Sequence, residues 1–310
     1  MADIVAQKPR SVEDLFSMRK SNSKLAWLTA YDFPSGYCAE KAGIDMILVG
    51  DSGAMVQYGM PRTSGISMDL MVEMSKAVRL GAPQTLIVGD MPRGSYEVKN
   101  SEAISNAFRF AIEGNADLIK LEGATPAILE KVKSISQAGI PVIGHIGLTP
   151  QSLGKVEPYK VNARVQTEIE RLKIDVERLT EVGAVAILVE AVPPNVAREL
   201  EKLSTIPIYG IGAGIHTNGQ LLIYHDLIGY FPKFRPKFAK NFAEEAIKKI
   251  ASQNKESKFD EMDGGVGEII RIAIKCYIND VKNLKFPSPE FCYPDIALDE
   301  IEKVFSDNSK

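Results

Sequence analysis

The stretch EGNADLIKLEGATPAILEKVKSISQAGIPVIGHI, residues 113–146, contains the unit that decides the fold. Two short runs rich in apolar residues, Asp117–Glu122 and Pro141–Ile146, flank a longer segment that ends at Gly139. Parallel strands covered on both faces give such runs in place of strict alternation. A glycine directly after a helix is a common termination signal. The stretch therefore predicts a strand, a helix and a second parallel strand.

The same unit recurs along the chain. The phrases KAGID, EGNAD, QAGIP and EVGAV each end a helix at glycine and then begin a strand. The strands are predicted at Lys24–Ala30, Asp45–Gly50, Thr85–Asp90, Asp117–Glu122, Pro141–Ile146, Val185–Glu190, Ile206–Ile211 and Leu221–His225. About eight β-α units in series favour a (β/α)8 TIM barrel over a doubly wound sheet.

Helices are also predicted outside the repeated units, at Ser11–Lys20, Glu244–Ser257 and Val266–Asn283. No linker divides the chain. We therefore expect one barrel domain over residues 1–310, with additional N- and C-terminal helices. Its core would span about 24–240, and a C-terminal helical extension would cover about 241–310.

Composition narrows the class of protein. A chain with 45% hydrophobic and 25% charged residues is neither disordered nor collagen-like. Its net charge of -3 argues against nucleic acid as the main partner. Three cysteines suggest neither a disulfide framework nor a zinc ribbon. Without a signal-like apolar region or a run of the roughly 20 apolar residues that a membrane span needs, we expect a cytoplasmic enzyme or binding protein with no membrane partner.

Polar residues stand at the ends of the predicted strands, where barrels carry their chemistry. These residues are Asp51 with Ser52, Asp90, Lys120 with Glu122, His145 and Glu190. A lone carboxylate after a strand is usually a helix cap or a turn residue. Four carboxylates and a lysine at one end of successive strands instead favour a shared polar site.

The residue types at these positions indicate a particular chemistry. Asp51, Asp90 and Glu122 offer only oxygen ligands, which suit Mg²⁺ better than a structural Zn²⁺. A 2-oxo acid could chelate such an ion through its carboxylate and keto oxygens, and the ion would stabilise an enolate. Lys120 would add positive charge near those oxygens, and Glu190, on another strand, could act as the base.

Three other features leave alternatives open. The strand-end His145 is as compatible with a structural role as with substrate contact. Gly210–Gly214, GIGAG, resembles a phosphate-cradling loop, but it lacks the helix and acidic residue of a dinucleotide fingerprint. The alternative is a tight glycine turn that lets backbone approach a substrate. Arg93, in DMPRGSYE, is either a surface residue or an anion contact.

Taken together, these segments resemble the ketopantoate hydroxymethyltransferase family. The matching stretches run in order from about Lys24 to Phe242 and include LTAYDFPS, DMILVGDSGAMV, VGDMPRGSYE, LIKLEGA, GIPVIGHIGLTPQS, LVEAVP and IPIYGIGAG. The resemblance implies a barrel of the phosphoenolpyruvate/pyruvate superfamily. It also implies transfer of the one-carbon unit of 5,10-methylenetetrahydrofolate to 3-methyl-2-oxobutanoate, which gives 2-dehydropantoate for pantothenate synthesis, and assembly as a homo-oligomer, often a decamer.

The resemblance assigns roles residue by residue. Asp51, Asp90 and Glu122 match the family's metal ligands, and Glu190 matches its catalytic base. The residues that match its substrate-binding positions are Asp51, Ser52, Asp90, Lys120 and His145. The chain departs from the family at Gly53, where a leucine is usual, and at Arg93, where an aromatic residue is usual.

Other functions remain open at this stage. One is a related metal-dependent lyase or aldolase that acts on another 2-oxo acid without folate. Another is Schiff-base chemistry at Lys120, because a strand-end lysine in a barrel can form an imine. A barrel retained only for binding or assembly is disfavoured, because no proposed ligand or base is lost from the sequence.

Overall fold

The computed structural model describes residues 11–152, 163–252 and 265–306. Eight parallel strands close into a barrel, in which each strand pairs with the next and the last pairs with the first. The strands are β1 (Leu25–Thr29), β2 (Met46–Val49), β3 (Leu86–Asp90), β4 (Leu118–Glu122), β5 (Val142–Gly147), β6 (Ala186–Glu190), β7 (Ile208–Ile211) and β8 (Gly219–Leu222). The predicted (β/α)8 fold class is thereby confirmed.

Helices alternate with the strands and continue after the barrel. They are α1 (Val12–Lys20), α2 (Phe33–Ala42), α3 (Gly53–Val56), α4 (Met68–Gly81), α5 (Asn100–Phe108), α6 (Pro126–Gln137), α7 (Gln166–Glu181), α8 (Pro194–Leu203), α9 (Tyr224–Leu227), α10 (Ala243–Ser252), α11 (Val266–Lys282) and α12 (Leu298–Phe305). A π-helical turn, Arg109–Glu113, continues α5. None of the helices in the described part of the chain is long and apolar enough to cross a membrane.

Local sequence accounts for several of the helix ends. The YDFPS motif starts α2 with a capping box, in which Asp32 and Ser35 each bond the other's backbone N–H. Gly43 in KAGID ends the same helix in the left-handed conformation, with φ +94°. In EGNAD it is Asn115, at φ +54°, that turns the chain. Gly114 keeps a helical φ, and its missing side chain leaves room for Ser75 and the Phe110 carbonyl.

The predicted position of the last strand was wrong. We expected Leu221–His225, whereas β8 covers Gly219–Leu222. The strand begins at a glycine because a Cβ there would lie 2.3 Å from the Leu25 carbonyl oxygen of β1. The apolar run continues past β8 into α9, all four residues of which are buried. The apolar run thus indicated which residues are buried. Pairing with β1 determines which of them form the strand.

The C-terminal helices are part of the barrel wall. Helix α11 lies across the seam between β1 and β8, where the Tyr277 hydroxyl donates to the backbone carbonyls of Trp27 and Gln220. The Tyr277 ring packs against Phe242 and Phe286. The expected helices at Ser11–Lys20 and Val266–Asn283 form as α1 and α11. The expected helix Glu244–Ser257 forms as α10 through Ser252, and the remainder lies outside the described residues.

Candidate active site

The structure brings all seven predicted site residues to one cavity of about 330 Å³ at the carboxyl ends of the strands. They are Asp51, Ser52, Asp90, Lys120, Glu122, His145 and Glu190. Strands β3, β4, β5 and β6 carry five of them, and the turn after β2 carries the other two. Their side chains are buried or nearly so, so water is largely excluded and charges interact strongly.

Lys120 is held by the carboxylate of the neighbouring strand. Its Nζ lies 2.8 Å from Asp90 Oδ1, while Asp90 Oδ2 accepts the backbone N–H of Asp51 at 3.0 Å. Burial alone would lower the pKa of Lys120, but Asp90, Asp51 and Glu122 outweigh burial and raise it. Lys120 is therefore an ammonium ion, with no lone pair to attack a carbonyl. This argues against the Schiff-base hypothesis.

His145 stands between two carboxylates. Its Nδ1 is 3.2 Å from Glu122 Oε2 and 3.4 Å from Lys120 Nζ, and its Nε2 is 3.2 Å from Glu190 Oε2. Burial, aided by the charge of Lys120, lowers the pKa of His145. The neutral ring has one N–H and can donate it to only one of the two carboxylates at a time.

Glu190 is the least enclosed of these acids. Burial raises its pKa, although the hydrogen bond and the charge of His145 oppose the rise. A carboxylate of raised pKa is a stronger base than an exposed one. As expected from the sequence, Glu190 is on a different strand from the proposed metal ligands and faces the cavity.

Ser52 is oriented by Tyr31, which sequence reasoning did not select. The Tyr31 hydroxyl lies 2.9 Å from Ser52 Oγ and 2.7 Å from Thr29 Oγ1. The Tyr31 ring fills the space beside Gly53, where a Cβ would lie 2.8 Å from the ring. A side chain at position 53 would therefore displace the Tyr31 ring that orients Ser52.

Gln151 is a second residue that the sequence analysis quoted, in GHIGLTPQS, but did not select. Its backbone N–H donates to Glu122 Oε1 at 2.8 Å, and its Nε2 donates to Asp51 Oδ2 at 3.0 Å. Its Oε1 accepts the Tyr96 hydroxyl at 2.8 Å. Gln151 thus ties together two carboxylates from different strands. The only signal for it was its place in a specific motif.

Arg93 lies outside the cavity lining. The side chain is exposed, and its guanidinium donates to the carbonyl of Gln151. Of the two alternatives left open by the sequence, the structure favours a surface residue that anchors the Gln151 turn.

The glycines of GIGAG are packed against protein side chains. Gly212, at φ +64°, lies under the Phe238 ring, and a Cβ there would be 2.6 Å from it. Gly214, at φ +77°, lies against Pro194, 2.4 Å from the position of a Cβ. Because Gly212 and Gly214 have no side chains, Phe238 and Pro194 can occupy the space beside them, where a phosphate or a substrate would otherwise lie.

The donor set suits a hard cation, although the three proposed ligands do not converge. Within the described ranges, no three His, Cys, Asp or Glu side chains lie close enough together to hold a metal ion. Asp51 and Asp90 are neighbours, whereas Glu122 is bonded to Gln151 and faces His145. At the strand ends, four carboxylates line the cavity together with the ammonium of Lys120, which leaves an excess of negative charge and of oxygen ligands there. Asp51 and Asp90, with Glu122 beside them, are the residues that would hold the ion, and this assignment stays a prediction.

Comparisons with known proteins agree with the resemblance drawn from the motifs. The family model described as ketopantoate hydroxymethyltransferase matches residues 9–289. The 3-methyl-2-oxobutanoate hydroxymethyltransferase of Alkaliphilus metalliredigens is 40% identical over 301 residues, which cover 97% of this chain and 99% of that protein. The protein of the same name from Listeria innocua is 41% identical over 274 residues, 88% of this chain and 91% of its own.

Solved structures of the same fold are more distant in sequence. A 2,3-dimethylmalate lyase, described as a member of the PEP mutase/isocitrate lyase superfamily, aligns with a TM-score of 0.56 at 13% identity, over 90% of this chain and 98% of its own. A phosphonopyruvate hydrolase in complex with oxalate and Mg²⁺ aligns with a TM-score of 0.55 at 17% identity, over 88% and 98% of the two chains. At these identities the likeness establishes the fold alone.

Proposed function

Because the chain belongs to the ketopantoate hydroxymethyltransferase family, we propose that it transfers a hydroxymethyl group to 3-methyl-2-oxobutanoate and forms 2-dehydropantoate for pantothenate synthesis. The proposed one-carbon donor is 5,10-methylenetetrahydrofolate. The observation that carries the proposal is the convergence of all seven family-matched side chains in one buried cavity.

Lys120 and Ser52 would bind and orient the 2-oxo acid. The ammonium of Lys120 is the positive charge at the strand ends, and it suits the carboxylate or keto oxygen of the acid. The Ser52 hydroxyl, fixed by Tyr31, offers a hydrogen bond at the same edge of the cavity. A divalent cation such as Mg²⁺, held by Asp51 and Asp90 with Glu122 beside them, would supply a Lewis acid for the keto oxygen.

Glu190 would remove the C3 proton of the bound acid. The C3–H bond breaks, the proton goes to a Glu190 oxygen, and the electron pair of C3 forms the new C–C bond to the methylene carbon of the donor. Water supplies the hydroxyl oxygen, both C–N bonds to that carbon break, and tetrahydrofolate leaves with its two nitrogens reprotonated by the protons from C3 and from water. His145 orients Glu190 for the removal of the C3 proton, because its Nε2 lies 3.2 Å from Glu190 Oε2. Its lowered pKa keeps the imidazole neutral, so the proton from C3 stays on Glu190 until it is released.

The decisive experiment is an assay of the purified protein with 3-methyl-2-oxobutanoate, methylenetetrahydrofolate and Mg²⁺. A panel of other 2-oxo acids and free formaldehyde would be run beside it. We expect turnover with 3-methyl-2-oxobutanoate, loss of turnover after treatment with a chelator, and recovery when Mg²⁺ is added. Full activity after chelation would contradict the metal assignment. A preference for another 2-oxo acid without folate would indicate the lyase or aldolase alternative.

Two further expectations from the sequence belong to this proposal. One is a homo-oligomer, decamer-like by family resemblance, which light scattering of the purified protein tests. The other is a cytoplasmic location without nucleic-acid or membrane partners, which fractionation of the source cells tests.

A further inference from the structure

The cavity has two walls, and the proposed function uses only one of them. The polar wall consists of the strand-end residues Asp51, Asp90, Lys120, Glu122, His145 and Glu190. We call a second group of lining residues, Asp226, Phe231, Phe234, Phe238 and Tyr293, the aromatic wall. It is built from the chain that follows β8 and from the segment before α12.

Asp226 is the unexplained group of the aromatic wall. It is only 6% exposed and lines the cavity, yet within the described residues its carboxylate accepts no hydrogen bond. Burial raises its pKa to about 7, and Arg235 opposes the rise only in part. Burying a carboxylate without hydrogen-bond donors is unfavourable, so a donor from outside the chain is the simplest reason to keep one here.

The rings around Asp226 form a surface for a flat ligand. The Phe231 and Phe234 centroids are 5.5 Å apart with the planes at 80°, and those of Phe238 and Tyr293 are 6.4 Å apart at 64°. Phe234 lines the cavity and is 48% exposed, so a ligand can reach its ring. Aromatic side chains bind flat heterocycles by stacking on the ring face, and this stacking depends little on the substituents of the heterocycle.

The two walls differ in the charged groups that they offer to a ligand. Lys120 attracts the anionic 2-oxo acid to the polar wall, whereas the aromatic wall offers the Asp226 carboxylate, with Lys237 lining the cavity on the same segment as the rings. Asp226 and Ser52 line the same cavity of about 330 Å³. A ligand bound at Asp226 would therefore share this cavity with the acid bound beside Ser52.

We propose that the aromatic wall binds the heteroaromatic ring of the one-carbon donor, with the Asp226 carboxylate accepting adjacent N–H groups from the ring's edge. This inference rests on the proposed function. The reduced ring of methylenetetrahydrofolate carries such an edge, a ring N–H beside an amino group, which matches the two oxygens of a carboxylate. The aromatic residues supply the faces on which the ring packs. Lys233, Arg235 and Lys237, exposed on the same segment, suit the donor's acidic tail.

The test is Asp226→Asn in the full-length protein, with Asp299→Asn on the exposed face of α12 as the matched control. The KM for methylenetetrahydrofolate should rise on the order of 10- to 100-fold, because the amide cannot replace a charge-assisted pair of hydrogen bonds. The KM for 3-methyl-2-oxobutanoate and the donor-free exchange of its C3 hydrogen with deuterated water should stay within twofold. Calorimetric binding of tetrahydrofolate should weaken in parallel.

Two variants of Phe234 test the same site without changing the Asp226 carboxylate. Phe234→Ala should weaken tetrahydrofolate binding several-fold and leave the donor-free exchange unchanged, whereas Phe234→Tyr should restore binding. Unchanged donor KM and unchanged tetrahydrofolate binding in Asp226→Asn would overturn the inference and leave the proposed function standing. Loss of the exchange in that variant would place Asp226 with the 2-oxo acid and also overturn it. A wild-type protein that exchanges the C3 hydrogen but turns over no folate would refute both the donor assignment and this inference.

Discussion

The two walls of the cavity differ in whether their carboxylates have hydrogen-bonding partners within the described part of the protein. On the polar wall Asp90 pairs with Lys120, and Glu122 and Glu190 face the two nitrogens of His145. On the aromatic wall a single carboxylate, Asp226, lines the cavity together with four aromatic rings. The polar wall therefore has its geometry fixed before substrate arrives, as catalysis requires. The aromatic wall carries an unfavourable charge that a ligand could relieve.

The difference between the two walls also follows from the parts of the chain that carry them. The polar residues end strands that are buried and hydrogen-bonded on both sides, which holds their side chains in register. The aromatic residues lie on irregular chain outside the sheet, at residues 231–238 and 293. Rigid elements suit the chemical step, and loops suit recognition of a particular ligand. The predictions below test this contrast in order of expected effect.

The largest effect should come from the polar wall. Glu190→Gln keeps the shape of the side chain and removes its basicity, so turnover should fall about 10²- to 10⁴-fold. The KM for the 2-oxo acid should change little, because Lys120 and Ser52 remain. The measurement is steady-state kinetics together with donor-free exchange of the C3 hydrogen in deuterated water.

A matched control for this prediction is Glu181→Gln at the exposed end of α7, which should behave as wild type. If Glu190→Gln exchanged the C3 hydrogen at the wild-type rate, some other group would be the base.

The next effect concerns stability and the aromatic wall. An unfolded aspartic acid loses its proton near pH 4, whereas burial holds the pKa of Asp226 at about 7 in the folded protein. Between these values the folded state binds more protons, so this residue lowers the free energy of unfolding as pH rises. Above pH 7 the loss reaches on the order of 4 kcal/mol.

Asp226→Asn should therefore be more stable than wild type at pH 8, and the advantage should shrink toward pH 4. Urea unfolding at several pH values measures it, and Asp299→Asn serves again as the control. An equal free energy of unfolding at pH 8 would mean that water or a neighbouring group already solvates the carboxylate.

A smaller effect is expected where the polar wall is tied together. Gln151→Leu leaves Asp51 Oδ2 and the Tyr96 hydroxyl without the partners they have now. We expect a loss of about 1–3 kcal/mol in the free energy of unfolding, the usual result of unsatisfied buried polar groups. Gln84→Leu, at an exposed position, should have no comparable effect in the same denaturant titration.

The smallest effect is expected outside both walls. Arg93→Phe should leave the ratio of kcat/KM between 3-methyl-2-oxobutanoate and a dicarboxylic 2-oxo acid within twofold of wild type. The reason is that the Arg93 guanidinium contacts the Gln151 carbonyl and does not line the cavity. A large shift in this ratio would show that Arg93 reaches the substrate.

The polar wall could be read from the sequence, and the aromatic wall could not. Asp51, Asp90, Lys120, Glu122, His145 and Glu190 each follow or end a recognisable apolar run, and the barrel rule places all such ends together. Asp226 follows an apolar run as well, but that run was assigned to a strand reaching His225. Its burial beside four aromatic rings depends on residues from elsewhere in the chain, which local patterns do not report.

By itself, the sequence determined the barrel, the helix-ending glycines such as Gly43 and the position of the polar residues at the strand ends, because apolar periodicity and turn geometry act over a few neighbouring residues. The tertiary structure decided what joins distant parts of the chain. Gln151 reaches Asp51 across 100 positions, and Tyr277 reaches Trp27 across 250. No local propensity encodes such contacts, because they exist only once the barrel has closed and brought β1 against β8.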